Sequence, residues 1–222
     1  MGLINKGILG EFKNRVGTVV GRRWKPGKWV MASYQKYVRN PRTEEQLLIR
    51  ARFATLGELA SAFLAPIRIG LRNFAKRVQS TEIGEFVKLN WDAVEADSVD
   101  SVTVDFASMI CAKGPLTGVQ YGSPQFDTPQ QVDVAYDTNE EVDGTSLKDN
   151  VYLFVYCPDA KCGVLSPASK RSDKSVSVTV PAYWNGMKVH LWGFTEGTDK
   201  TSRNPSYGKL SNSVYIGSGN IG

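Results

Sequence analysis

One histidine, three cysteines and a glycine-rich run are the residues of this 222-residue chain whose types and spacing could do chemistry. Catalysis of the Ser-His-Asp or Cys-His kind needs an imidazole to take up the nucleophile's proton, so any such site must be built on His190. That residue lies in Val189-His190-Leu191-Trp192, where strand alternation sets it opposite Val189 and Leu191. This is the place of an exposed or hydrogen-bonded strand histidine rather than of a base. Cys157-Pro158-Asp159-Ala160-Lys161-Cys162 has the spacing of half a zinc knuckle. Structural zinc takes four N or S ligands, and only Cys111 and His190 remain to complete a set that lacks a second short pair. Ordinary thiols at a strand end are the better reading. Gly217-Ser218-Gly219-Asn220-Ile221-Gly222 matches GxGxxG after a strand, but no helix follows to hold a pyrophosphate. The carboxylate pairs Glu140-Glu141 and Asp97/Asp100 fall in polar, loop-like segments that suit solvated charge. No catalytic residue, metal ligand or cofactor-binding residue is assigned, and the chain is expected not to be an enzyme and to need no cofactor.

Binding chemistry is better supplied. Residues 1–80 hold 16 Lys+Arg against 4 Asp+Glu, a net +12, whereas residues 81–222 hold 11 against 18, a net −7. Such polarity favours contact between the basic part and an acidic surface or a nucleic acid. Arg22, Arg23 and Lys28 interleave with Trp24 and Trp29, a mixture that can grip an acidic protein face or neutralise phosphates and stack on bases. Arg68, Arg72 and Lys76 recur every four residues, a ridge along one helical face. These eight residues are the candidate contacts. No RNP, helix-turn-helix or KH signature accompanies them, so protein contact is preferred over specific nucleic-acid recognition.

The elements that must position these groups follow from periodicity. Val16 to Trp24 and Trp29 to Tyr34 are β-prone runs around Lys25-Pro26-Gly27-Lys28, which predicts a two-stranded hairpin within an extended basic arm over residues 1–42. Pro41 marks a boundary, and Thr43 with Gln46 forms a capping box that starts a helix. Leu47, Leu48, Phe53, Leu56, Leu59, Phe63, Ile67, Leu71, Phe74 and Val78 make an apolar stripe at helical spacing, and Pro66 predicts a bend or break just before it. One kinked helix or a helix pair should cover residues 43–80. After Glu82 the period changes to two: residues 100–106, 132–136, 151–156, 175–180, 188–194 and 213–216 read as strands separated by turn clusters. The fold class is therefore mainly β with an N-terminal helical segment, the β part (85–222) being an antiparallel sandwich of immunoglobulin or fibronectin type.

The opening residues lack the pattern of a secretory signal, no run of about 18 apolar residues is present, and three cysteines do not make a disulfide scaffold. Synthesis and assembly in a cytoplasm, without membrane contact, is the expectation.

Gly7-Ile8-Leu9-Gly10, Val16-Gly17-Thr18-Val19-Val20-Gly21, Trp24-Lys25 and Asn40-Pro41-Arg42-Thr43 with Gln46 form an N-terminal signature. Toward the other end stand VTVPAYW (Val178 to Trp184), Val189-His190-Leu191-Trp192 and SNSVYI (Ser211 to Ile216). The set resembles a family of uncharacterised proteins of Bacteroidetes and their phages, and the likeness spans nearly the whole chain. The family carries no established activity to transfer. The resemblance implies a non-catalytic virion protein of a tailed phage such as the crAss-like group, an auxiliary capsid or neck/tail component located in the virion and assembled in the host bacterial cytoplasm. Its partners would be other virion proteins and copies of itself. Two further readings are a nucleic-acid-binding protein using residues 1–80, and a carbohydrate- or cell-surface-binding module using Tyr183, Trp184 and Trp192.

Overall fold

A computed structural model of the chain describes residues 2–4, 13–25, 28–38, 40, 42–99, 101–126, 128–138, 145–199 and 207–222. The chain forms two compact units, Met1–Gln46 and Leu47–Gly222.

The first unit is built on four short strands, β1 (Gly2–Ile4), β2 (Asn14–Val16), β3 (Val19–Lys25) and β4 (Lys28–Ser33), in the order β1-β4-β3-β2. All three pairings are antiparallel. The expected hairpin is present as β3 and β4, but two three-residue strands flank it, so the ribbon is four strands wide rather than two. Its Pro26-Gly27 turn lies outside the described residues, as do Gly7 to Gly10 and Pro41 of the sequence signature. A hairpin alone is marginal in water, and extra pairing satisfies the backbone groups at its edges.

The second unit has three layers. Helices α1 (Glu44–Ala62, whose first residues precede the unit boundary), α2 (Leu64–Gly70), α3 (Arg72–Val78) and α4 (Glu82–Leu89) form one side. The break before Pro66 falls at Phe63, which places the proline in the first turn of α2, where its missing N–H has no intrahelical partner to lose. The i to i−4 bonding runs on through both breaks, with Phe63 N–H donating to Leu59 O and Leu71 N–H to Ile67 O. Residues after Glu82 do not turn to strand at once: Thr81 caps α4, its Oγ accepting from Gly84 N–H at 3.1 Å.

The strands then follow as β5 (Val94–Ala96), β6 (Val102–Val104), β7 (Gln120–Gln125), β8 (Gln131–Asp137), β9 (Asn150–Cys157), β10 (Cys162–Leu165), β11 (Ser169–Lys170), β12 (Ser175–Thr179), β13 (Lys188–Glu196) and β14 (Val214–Asn220). The middle layer is the antiparallel sheet β10-β9-β13-β14, with β11 also paired to β9; the outer layer is the sheet β12-β8-β7. Val132, Val134, Val176 and Val178 of the outer sheet pack on Val151, Leu153, Val155, Val189 and Leu191 of the middle one, as a sandwich requires. The opposite face of the same strands presents Tyr152, Phe154, Tyr156, Trp192 and Phe194 to Leu56, Leu59, Phe63, Ile67, Leu71 and Phe86 of the helices. Phe63 is the hub of this second core, with ring centroids 4.7 Å from Phe154, 5.0 Å from Trp192, 5.2 Å from Tyr156 and 5.5 Å from Phe86.

The structure thus draws its boundary at a different place from the sequence reading. The helical segment is not a region apart from residues 85–222 but the third layer of one body. The alternation over residues 100–106 yields only the three-residue β6, since Asp105 turns the chain by accepting Ala107 N–H and opening a 3₁₀ turn at Phe106.

Candidate interaction surfaces

Strand register fixes how the ribbon of the first unit displays its charges. Arg22 stands opposite Val30 and Arg23 opposite Trp29. Successive residues of a strand point to opposite faces, so the two guanidinium groups leave the ribbon on both sides. Arg22, Arg23 and Lys28 are exposed, Trp24 is 55% exposed and Trp29 is half-buried. A register shift between Arg23 and Lys25 turns the strand at Trp24. Further along, the Arg15 guanidinium lies 3.7 Å from the centre of the Tyr34 ring and donates from Nε to Gly17 O at 2.8 Å. The five ribbon residues picked out in the sequence therefore lie on one small sheet.

Arg68, Arg72 and Lys76 are exposed along α2 and α3. Beside them opens a cleft of about 570 Å³ that sequence periodicity could not reveal, because its walls come from three distant segments. Helix α3 supplies Phe74 and Arg77, the loop after residue 112 supplies Lys113, and the approach to β14 supplies Lys209, Leu210 and Asn212. Arg77 and Lys113 both stand near the Phe74 ring, at 5.4 and 5.1 Å from its centre. Asn212 Oδ1 accepts Gly114 N–H at 3.2 Å, and Asn73 Nδ2 donates to Gly208 O, which ties the walls together. Among the described residues lining it, three are cationic and none is acidic. Such a surface attracts anions.

The residues with catalytic potential are placed differently. His190 is buried rather than exposed, its Nδ1 2.9 Å from Tyr215 Oη and its ring centre 4.3 Å from that of Phe106. Burial, with the nearby Lys188 charge adding to it, lowers its pKa below the ordinary 6.5, so the imidazole is neutral at pH 7. Cys111 belongs to the core between helices and sheet, where burial pushes its thiol up to about 12, whereas Cys157 and Cys162 pack at the other core. Among the described residues no group of three His, Cys, Asp or Glu side chains could hold a metal ion. Gly217 and Gly219 lie within β14, in extended pairing with β13 rather than in a phosphate loop. Trp184 and Trp192 are wholly buried, which leaves Tyr183 as the one exposed ring of the three considered for sugar contact. Among the described residues no helix is long and apolar enough to cross a membrane.

A family model described as a family of unknown function, DUF6266, matches residues 10–217. The chain belongs to the DUF6266 family. The match takes in β2, β3 and β4 of the ribbon, the four α-helices and the sandwich as far as the start of β14, so most of both units falls within one family sequence. No curated protein and no solved structure matches the chain.

Proposed function

We propose that this DUF6266 chain is a non-catalytic structural protein of a tailed bacteriophage virion, an auxiliary capsid or neck/tail component that anchors through its basic ribbon. The observation that carries the reading is the ribbon itself. It is a compact unit with Arg22, Arg23, Lys28 and Trp24 exposed and Trp29 half-buried. Cations interleaved with tryptophan suit an acidic protein face, with the aromatic rings as anchors. The likeness of the N-terminal signature to proteins of Bacteroidetes and their phages supports the virion as the setting. The partners are other virion proteins and further copies of this chain, and assembly takes place in the host cytoplasm. Replacing Trp24 and Trp29 by Ala should lower the number of copies recovered in purified particles, as counted by quantitative mass spectrometry. Full occupancy by the double variant would refute the anchor.

A second reading, nucleic-acid binding, is favoured by the cleft between Arg77, Lys113 and Lys209 together with the ridge of Arg68, Arg72 and Lys76. Phosphate contacts release counterions, so the full chain would then shift a single-stranded oligonucleotide with an affinity that falls steeply as salt rises. Affinity that is flat with salt, or unchanged by charge reversal at Lys113 and Lys209, would remove this reading.

A further inference from the structure

Cys157 ends β9 and Cys162 begins β10, and the antiparallel register sets the two residues directly opposite one another. Opposed residues in such a ladder have Cα atoms about 4.5–5.5 Å apart, inside the range of about 4.4–6.8 Å that a disulfide spans. Directly paired residues also point to the same face, and both thiols face the core between the two sheets. The turn that joins them is well fixed, with Lys161 N–H donating to Pro158 O at 3.2 Å and Lys161 in the left-handed region at φ 50°. The hairpin is also held from outside, since Lys161 Nζ lies 3.0 Å from Glu58 Oε2 on α1. The register therefore sets the two Cα atoms within the span of a disulfide, and a side-chain rotation brings the sulfurs together. Their neighbours differ: Cys157 is fully buried with its Sγ 3.7 Å from Met187 Sδ, whereas Cys162 is half-buried with its Sγ 3.5 Å from Tyr183 Oη, a side chain that is itself 62% exposed.

We propose that Cys157 and Cys162 are a site of reversible covalent modification, an oxidisable pair that closes a cross-strand disulfide when the protein leaves a reducing compartment. The half-buried thiol is the entry point. Cys162, as thiolate, attacks one sulfur of a small disulfide such as oxidised glutathione; an S–S bond forms to Cys162 and one glutathione leaves as thiolate. Cys157 then loses its proton to solvent and attacks the Cys162 sulfur, which breaks the mixed disulfide and releases the second glutathione. Two protein thiols are oxidised to one disulfide, and one glutathione disulfide is reduced to two thiols. Cys111 takes no part: it lies at the other core, fully buried, with its backbone N–H donating to Ser213 Oγ. The inference is independent of the proposed function, since it rests on strand register and not on the ribbon.

The experiment uses the full chain, reduced and then exchanged into buffers of increasing ratio of oxidised to reduced glutathione, quenched in acid, alkylated and mapped by mass spectrometry. The expected product is a monomer lighter by two hydrogens that carries one alkylated cysteine. Tryptic cleavage after Lys161 should leave the peptides Asp149–Lys161 and Cys162–Lys170 joined through sulfur, and dithiothreitol should reverse the change. Cys162→Ser should leave Cys157 unmodified, and Cys157→Ser should trap glutathione on Cys162. Because the buried Cys157 could be needed for folding, the Cys162→Ser result and the native chain suffice without it. A native chain that stops at the mixed disulfide, that joins Cys162 between two copies, or that keeps three free thiols at the most oxidising ratio would overturn the proposal.

Discussion

At the residue scale, burial decides how the charged and titratable groups of this fold behave. Arg171 is an example: it is fully buried, with Nη1 donating to Thr138 O and Nη2 to Thr117 O, both at 2.8 Å, and with Nε 3.7 Å from a carboxylate oxygen of the equally buried Asp149. Burial pulls its pKa down and pushes that of Asp149 up, so desolvation outweighs their mutual attraction, and the hydrogen bonds to carbonyls are what make the position tenable. His190 is the residue with a testable signature. Its folded pKa lies below the ordinary 6.5, so the folded state binds the proton less well than the unfolded chain does. The stabilisation it contributes is present above about pH 6.5 and is lost as pH falls through the folded value, with a slope of at most about 1.4 kcal/mol per pH unit. Urea unfolding of the native chain and of His190→Gln between pH 7.5 and 5 should show a shallower decline in the variant; parallel declines would contradict the assignment.

At the scale of elements, close approach rather than propensity sets the spacing of the layers. Gly193 of β13 lies under the Tyr121 ring, and a Cβ at that position would stand 2.2 Å from Tyr121 Cζ. Gly193→Ala should therefore destabilise the fold by about 1–3 kcal/mol, read as a drop in the urea midpoint at unchanged slope. Strand β9 shows how much was legible. Val151 to Tyr156 is an unbroken apolar run, and such a run marks a strand covered on both faces. The stripe through Leu56, Leu59, Phe63, Ile67 and Leu71 likewise announced a buried helical face. Periodicity says that a face is covered but not by what, so the docking of helix on sheet could be read only from coordinates. The three-residue strands β1, β2 and β5 are too short to carry a period, and α4 was missed because its Thr81 cap and apolar Phe86 stand where turn and strand signals were expected. The basic and aromatic residues of the ribbon could be picked out because Arg22 to Trp29 is one local run, whereas Lys113 and Lys209 of the cleft are 96 positions apart and share no local pattern.

At the scale of the whole molecule, the two units differ in what holds them together. The second has two cores that share one sheet, and β9 and β13 contribute to both. In the first, Val30 is buried while Trp24, Met31 and Tyr34 are exposed. Hydrogen exchange followed by mass spectrometry should find the amides of β3 and β4 opening with a lower free energy than those of β9 and β13 in the isolated chain. Binding raises the stability of whatever it grips, so if the ribbon docks as proposed, the same ribbon amides should slow by the larger factor in the bound chain. Equal protection of both units in the free chain would argue against a ribbon that needs a partner.

The shared sheet has a mechanical corollary. Because the aromatic face and the aliphatic face of β9 and β13 are two sides of one backbone, a displacement of these strands disturbs both cores at once. Pulled from its helical end, the second unit should yield in a single rupture rather than peel layer by layer.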